Sequence, residues 1–149
     1  MTRRVVTGHD ASGKAVAVFD GPAPNVKLRP SGLLSTLLWT TDETPATVSG
    51  AADRAAREIG IAPPDNGSIF RVVDFPPASG ANPDPMMHRT RSIDYAVVLE
   101  GEIDMLLDGG EVRLRAGDML VQRATVHGWI NRGSTTCRVA FVLIDAREP

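Results

Sequence analysis

Two histidines and one aspartate are the side chains best suited to chemistry in this 149-residue chain. His88 begins a polar run, Asp94 follows six residues later, and His127 ends a second polar stretch. Two imidazoles and a carboxylate can bind a divalent metal and leave its remaining positions open. Without a metal, His127 is the best candidate for proton transfer, because the ordinary pKa of histidine lies near neutrality. Asp94 would then orient His127 or His88 and stabilise its charged form, or the groups would only satisfy one another in the core.

The segments around these residues have the alternation that is typical of β-strands. Period-two spacing places Asp94, Ala96 and Val98 on one face of a strand that ends at a glycine-containing turn. Similar short apolar runs separated by turn residues recur along the chain, which predicts an all-β sandwich or barrel. The predicted strands cover residues 4–7, 15–19, 33–40, 69–75, 94–100, 103–107, 111–114, 119–122, 126–131 and 138–144.

Two regions depart from this pattern. Residues 20–25 are rich in glycine and proline and predict a break between strands. Residues 41–64 are the least β-like part of the chain. Within them, residues 51–59 contain good helix formers and end at Gly60, which predicts one short surface helix or turn.

Composition argues against several classes of function. The formal net charge is −2, so the clustered basic excess of a nucleic-acid-binding surface is absent. No apolar run approaches the roughly 20 residues of a membrane-spanning helix, and no apolar stretch follows Arg3 and Arg4 as in a signal peptide. The single Cys137 cannot form an internal disulfide. We therefore expect a cytoplasmic protein that binds neither nucleic acid nor membrane.

The two polar stretches resemble the paired motifs of the cupin superfamily, G-x5-H-x-H-x3-4-E-x6-G and G-x5-P-x-G-x2-H-x3-N. The first is matched as His88-x-Thr90-x3-Asp94-x6-Gly101, and the second as Gly117 followed by His127-x3-Asn131. The resemblance implies a double-stranded β-helix, or jelly-roll barrel, in one domain spanning residues 1–149. Residues 1–67 would form an N-terminal extension and outer strands, and residues 68–146 the barrel core. Small cupins commonly dimerise, so the resemblance also implies a homodimer.

The departures from the cupin motifs bear on function. Thr90 replaces the second histidine of the first motif and Asp94 replaces its glutamate, while the second motif is one residue short before His127. The resemblance implies one divalent metal, Fe, Mn or Zn, held by His88, Asp94 and His127. The missing histidine leaves a metal-free site equally open. The variant pattern also resembles cupin-type oxidoreductases, some of them encoded in polyketide pathway clusters.

Other residues are expected to line the same interior. Trp129 follows His127 by two positions and should share its face, and Phe141 and Met105 could join it. Such an apolar, partly aromatic wall suits a small organic ligand, although simple core packing is at least as good an explanation. Thr90 and Gln122 would supply polar contacts to water or substrate.

Two classes of function follow. The first is an enzyme acting on a small oxygenated organic molecule: an oxidoreductase or lyase if a metal is bound, or a dehydratase or isomerase if it is not. The second is a non-catalytic small-molecule-binding module. Two histidines and an acidic residue at motif positions favour the enzyme, whereas Thr90 favours the binding module.

Overall fold

The structure is a computed structural model that describes residues 1–79 and 83–148. Eleven β-strands occupy this part of the chain, and no helix occurs in it that could span a membrane. The strands are β1 Arg3–His9, β2 Ala15–Pro22, β3 Asn25–Leu28, β4 Leu34–Thr41, β5 Ser68–Phe75, β6 Ser92–Glu100, β7 Glu102–Leu107, β8 Gly110–Arg115, β9 Met119–Arg123, β10 His127–Ile130 and β11 Cys137–Asp145.

Two antiparallel sheets enclose the core of a jelly roll. The larger sheet has six strands in the order β3-β4-β5-β11-β6-β9, and the smaller has the order β10-β7-β8. Alternate residues of β11 are buried, and the main apolar cluster joins inner residues of the large sheet to Ile103 and Leu114 of the small one. The all-β jelly-roll prediction is therefore confirmed.

Strand register places polar residues on the inner face of the large sheet among apolar ones. Asp94 on β6 lies opposite Gln122 on β9 and Leu143 on β11. Arg71 on β5 lies opposite Phe141 on β11. Since directly opposed residues of antiparallel strands share a face, these side chains all point toward the space between the sheets.

Gly101 closes the turn between β6 and β7, where the first motif ends. Its φ of 76° lies in the region that favours glycine. A Cβ there would lie 3.0 Å from the carbonyl oxygen of Thr136 and 3.1 Å from Cα of Cys137. The glycine of the first motif is therefore required by backbone shape and close packing.

Residues 51–59, predicted as one short surface helix or turn, form turns and no helix, and most of them are exposed. Asp53 forms an ion pair with Arg4 and also accepts a hydrogen bond from the Ala55 amide. The Asn25 side chain donates to the carbonyls of Ala55 and Arg57, which a helix would need for its own hydrogen bonds. Turns result, and they bury Ala55 completely against the core.

The break predicted at residues 20–25 is present, but it is shorter than predicted and covers only residues 23 and 24. β1 and β2 form an antiparallel hairpin. Residues 20–22 continue β2, where Pro22 pairs with Arg3 at the end of this hairpin, and Asn25 begins β3. Proline is tolerated at such an edge position because no ladder hydrogen bond is lost there. The hairpin and β3 therefore follow one another after a two-residue connection.

Candidate functional site

His88 and His127 form a close pair although they are far apart in sequence. The two residues exchange backbone hydrogen bonds of 2.9 Å each way, and their ring centroids are 4.5 Å apart. Gly128 makes this approach possible, because a Cβ there would lie 2.7 Å from the Pro85 carbonyl oxygen and 2.8 Å from the Met87 sulfur. A side chain at this position would push the segment that carries His88 away from β10.

Main-chain carbonyls fix the tautomers of both imidazoles. His127 Nδ1 lies 3.0 Å from the Thr125 carbonyl oxygen, and His88 Nδ1 lies 2.9 Å from that of Met86. A carbonyl oxygen only accepts, so each Nδ1 must carry the proton. Each Nε2 of a neutral ring therefore keeps its lone pair for a proton, a metal or a ligand. Asp94 is not the group that orients either ring.

The Asp94 carboxyl is the centre of a hydrogen-bonded chain. Ser92 Oγ donates to Asp94 Oδ1 at 2.6 Å and is also hydrogen-bonded to Thr90 Oγ1 at 2.9 Å. Gln122 Nε2 donates to Asp94 Oδ2 at 2.6 Å, while Gln122 Oε1 accepts from the Thr125 amide. Thr125 supplies the carbonyl that orients His127, so the chain runs from Thr90 to the imidazole.

Burial shifts the pKa values of the acid and the base in opposite directions. Removal from water raises the pKa of Asp94 above its ordinary 3.8, although hydrogen bonds from Ser92 and Gln122 and the charges of the two histidines oppose the shift. Burial lowers the pKa of His127 below 6.5; the Thr125 carbonyl and the Asp94 charge oppose this, and the His88 charge adds to it. The two pKa values therefore move toward each other, although no hydrogen bond joins the two groups within the described residues.

An aromatic wall adjoins the histidine pair. The Trp129 ring meets His127 edge-on at a centroid distance of 5.8 Å, and its centroid lies 5.6 Å from Phe141 and 6.0 Å from Phe75. Met105 is buried opposite Trp129 in the β7–β10 ladder. Apolar rings beside a few fixed polar groups are typical of small-molecule sites.

Comparison with known proteins agrees with this geometry. A family model described as a cupin domain matches residues 71–144. The cupin-domain-containing oxidoreductase fogC of Aspergillus ruber is 38% identical over 97% of this chain and 73% of its own length. The cupin-domain-containing oxidoreductase virC of Hypocrea virens is 37% identical over 98% of this chain and 77% of its own. The chain belongs to the cupin family.

Solved structures support the same fold. A putative ethanolamine utilization protein Q from Salmonella typhimurium LT2 aligns with a TM-score of 0.55, over 99% of this chain and 98% of its own, at 14% identity. At that identity, the likeness extends to the cupin fold alone.

The residues of this cupin do not form a complete metal site. Within residues 1–79 and 83–148, no three His, Cys, Asp or Glu side chains are grouped closely enough to hold a metal ion. Both oxygens of Asp94 accept hydrogen bonds from neutral side chains. His88 and His127 offer two Nε2 lone pairs, which is one ligand fewer than the predicted set. The metal predicted on His88, Asp94 and His127 therefore does not fit the described geometry.

The cupin motifs and strand alternation predicted most of the side chains that meet here, but they missed Ser92, a main-chain carbonyl and, elsewhere on the same inner face, Arg71. Thr90, Asp94, Gln122 and His127 are all buried as inward-facing residues should be. Sequence analysis overlooked Ser92, although its place midway between Thr90 and Asp94 on one strand face was a usable signal. It also overlooked the Thr125 carbonyl, for which side-chain identity gives no signal, and Arg71, a charge within an apolar strand.

Asn131, the last residue of the second motif, has a structural role. Its side-chain nitrogen donates to the carbonyls of Phe75 and Thr135, and its side-chain oxygen accepts from the Gly133 amide. These bonds join the end of β10 to the end of β5. Asn131 thereby fixes the direction of the strand that begins with His127.

Proposed function

We propose that this cupin is a small-molecule enzyme that works by proton transfer between its two sheets, as a dehydratase or isomerase. The observation that carries the proposal is the pair of imidazoles whose Nδ1 protons are held by main-chain carbonyls. This arrangement directs an Nε2 lone pair of each ring to a ligand. Trp129, Phe141 and Met105 would contact the apolar part of that ligand.

In this proposal His127 is the general base. Its Nε2 takes a proton from a carbon next to a carbonyl of the substrate, which leaves a positive charge on the ring. The nearby Asp94 charge favours that imidazolium, since it raises the pKa of His127. The same proton returns to the substrate at a second carbon in an isomerisation, or to a departing hydroxide in a dehydration. His88 Nε2 or Thr90 Oγ1 would accept the hydrogen bond of a substrate hydroxyl.

The test is turnover of an aromatic β-hydroxyketone, the aldol adduct of acetone and benzaldehyde. Loss of water gives a conjugated enone that absorbs in the ultraviolet. We expect His127→Ala to lower the rate by about 10²–10⁴-fold, the usual effect of losing a general base. His9→Ala is the matched control, since His9 is exposed on β1. Equal rates in the two variants would contradict the proposal.

An oxidoreductase is the second candidate, and the names of the relatives favour it. Such a reaction requires an electron acceptor, and the two imidazole nitrogens of the described site do not make a complete metal site that would supply one. Elemental analysis of protein purified without a tag or chelator tests this candidate. A stoichiometric metal that is lost from both His88→Ala and His127→Ala would support it. Ligand binding without turnover of either kind would support the binding module.

A further inference from the structure

Arg71 lies inside the jelly roll, outside the group of residues in the two motifs. It alternates with the buried Ile69 and Val73 along β5, and its cross-strand neighbours are Leu37 and Phe141 of the main apolar cluster. Phe141 in turn contacts Trp129 of the aromatic wall. The guanidinium therefore lies on the same inner face as Asp94, on the far side of Phe141 and Leu143.

Only part of the Arg71 hydrogen-bonding capacity is used. Nη2 donates to the Gly60 carbonyl at 2.7 Å. Nε is fully buried and, across residues 1–79 and 83–148, is the one buried side-chain nitrogen or oxygen without a hydrogen-bond partner. A buried donor left unpaired destabilises the folded state, because it has lost its hydrogen bond to water without gaining another. The position is therefore costly unless another molecule supplies the acceptor.

The surroundings of Arg71 favour a negative ligand. A small cavity beside it is lined by Arg29, by Lys27, which forms an ion pair with Glu58, and by Asn25, Ser35, Leu37 and Ile59. Burial and the Arg29 charge lower the pKa of Arg71 to about 10, while Asp94 opposes the shift. Arg71 is thus positively charged at neutral pH. Among residues 1–79 and 83–148, Asp94 supplies a distant carboxylate, and no carboxylate forms an ion pair with Arg71.

We propose that Arg71 binds a carboxylate of the substrate, so that this cupin acts on an organic acid. The inference deepens the proposed function, on which it rests, by naming the substrate class. A carboxylate has two oxygens in the plane that suits the fork of a guanidinium, and can accept from Nε–H and the neighbouring Nη–H together. The acid group would be held at β5, in the small cavity beside Arg71.

The test compares binding of benzoate with that of benzamide, its neutral isostere, by calorimetry. We expect the wild-type protein to prefer benzoate, and Arg71→Gln to bind benzoate about 10–100-fold more weakly, as for loss of a hydrogen bond to a charged group. Binding of benzamide should change little. Arg115→Gln is the matched control, because Arg115 is an exposed arginine of β8.

A measurement on the wild-type protein covers the case in which Arg71→Gln does not fold. The Nε–H resonance of Arg71, assigned by its loss in Arg71→Lys, should shift with benzoate and not with benzamide. Absence of any preference for benzoate, a preference that survives in Arg71→Gln, or an unmoved Nε–H resonance would each overturn the inference. A purely structural role would lower the unfolding midpoint of Arg71→Gln and leave the wild type without a preference.

The binding measurement does not depend on turnover, so the two proposals can fail separately. His127→Ala should keep the preference for benzoate while losing catalysis. A preference that requires Arg71, in a protein that turns over no substrate, would overturn the proposed function and leave the carboxylate site. Suppose instead that catalysis requires His127 but the protein binds benzoate and benzamide equally. That result would overturn the carboxylate site and leave the proposed function.

Discussion

Two aspartates at opposite sides of the core show how differently one side chain behaves when its neighbours change. Asp94 on the large sheet and Asp104 on the small sheet are 6% and 2% exposed. Asp94 accepts hydrogen bonds from the neutral Ser92 and Gln122, and its pKa is raised. Asp104 accepts from Arg113 and Arg132, and its pKa is lowered.

The difference teaches that burial alone does not assign a carboxylate its role. Two guanidinium groups make Asp104 a stable anion that ties β7 to β8 and to the turn after β10. Neutral donors fix the position of Asp94 without supplying a full counter-charge, which leaves its charge available to the nearby histidines. Of the two, only Asp94 has the surroundings that our proposed mechanism requires.

The largest effect that separates the two aspartates should be on turnover. Asp94→Asn keeps the shape of the side chain and removes the charge that favours the His127 imidazolium. We expect the rate to fall by about 10²–10³-fold, as for loss of other preorganised electrostatic groups. Asp104→Asn should leave the rate of the remaining folded protein unchanged. Comparable losses in both variants, measured with the β-hydroxyketone, would erase the distinction.

Stability should respond in the opposite way. Asp104→Asn leaves two arginines without their carboxylate, and we expect the free energy of unfolding to fall by about 1–3 kcal/mol. The lower part of this range is favoured, because both arginines are more than one-third exposed and water screens them. Asp94→Asn should change stability by less than about 1 kcal/mol, since the amide can satisfy the same neutral partners. Urea unfolding of both variants measures the contrast.

A substitution at Gly128 tests whether the site also depends on the close approach of β10 to the segment that carries His88. We expect Gly128→Ala to cost about 1–2 kcal/mol, as for other overpacked positions, because the new Cβ meets Pro85 and Met87. Displacement of this segment would separate His88 from His127 and reduce turnover. Gly109→Ala is the control, as nothing lies within 4 Å of a Cβ built there. A wild-type rate in Gly128→Ala would argue against the role of His88.

The smallest effect, and the sharpest in sign, should be the dependence of stability on pH. The folded pKa of Asp104 lies below the ordinary 3.8, so its contribution is present above that pH and is lost as the pH falls through the folded value. The folded pKa of Asp94 lies above 3.8, so its contribution is present below that pH and is lost as the pH rises through the folded value. Between wild type and Asp104→Asn, the stability gap should narrow on acidification from pH 4.

For Asp94→Asn, the difference in stability from wild type should change with pH in the opposite direction. Its stability relative to wild type should increase as the pH rises from about 3.8 toward neutrality, because the variant has no buried charge to form. Unfolding midpoints measured from pH 3 to pH 7 give both trends in one series. If the stability differences from wild type change in the same direction with pH for both variants, the surroundings of the two aspartates are equivalent.

Alternation of apolar residues predicted the strands that form the core, and failed where contacts from distant residues decide. β5, β6 and β11 follow the predicted spans within two residues at each end. The segment 51–59 has the local composition of a helix, but Arg4 and Asn25 bind its polar groups from other strands. Competition of this kind is tertiary, and no local pattern reports it.

The site was predictable to the extent that it depends on side-chain identity. Motif spacing brought His88, Asp94 and His127 into one region, and strand alternation directed Asp94 inward, where it is 6% exposed. The carbonyls that orient the two rings could not be predicted, because every residue has one. The inward position of Arg71 could have been predicted, because it follows from the same alternation along β5.

The control of both tautomers by main-chain carbonyls has a consequence for how this sequence can vary. The acceptors belong to residues 86 and 125, yet neither the Met86 nor the Thr125 side chain makes the bond. Substitutions there can alter the surface of the site while the same nitrogen of each ring still faces the ligand. Met86 is the more restricted of the two, since its φ of 49° favours asparagine or glycine among replacements. Ligand preference could thus diverge among descendants of this chain with no change in their acid–base apparatus.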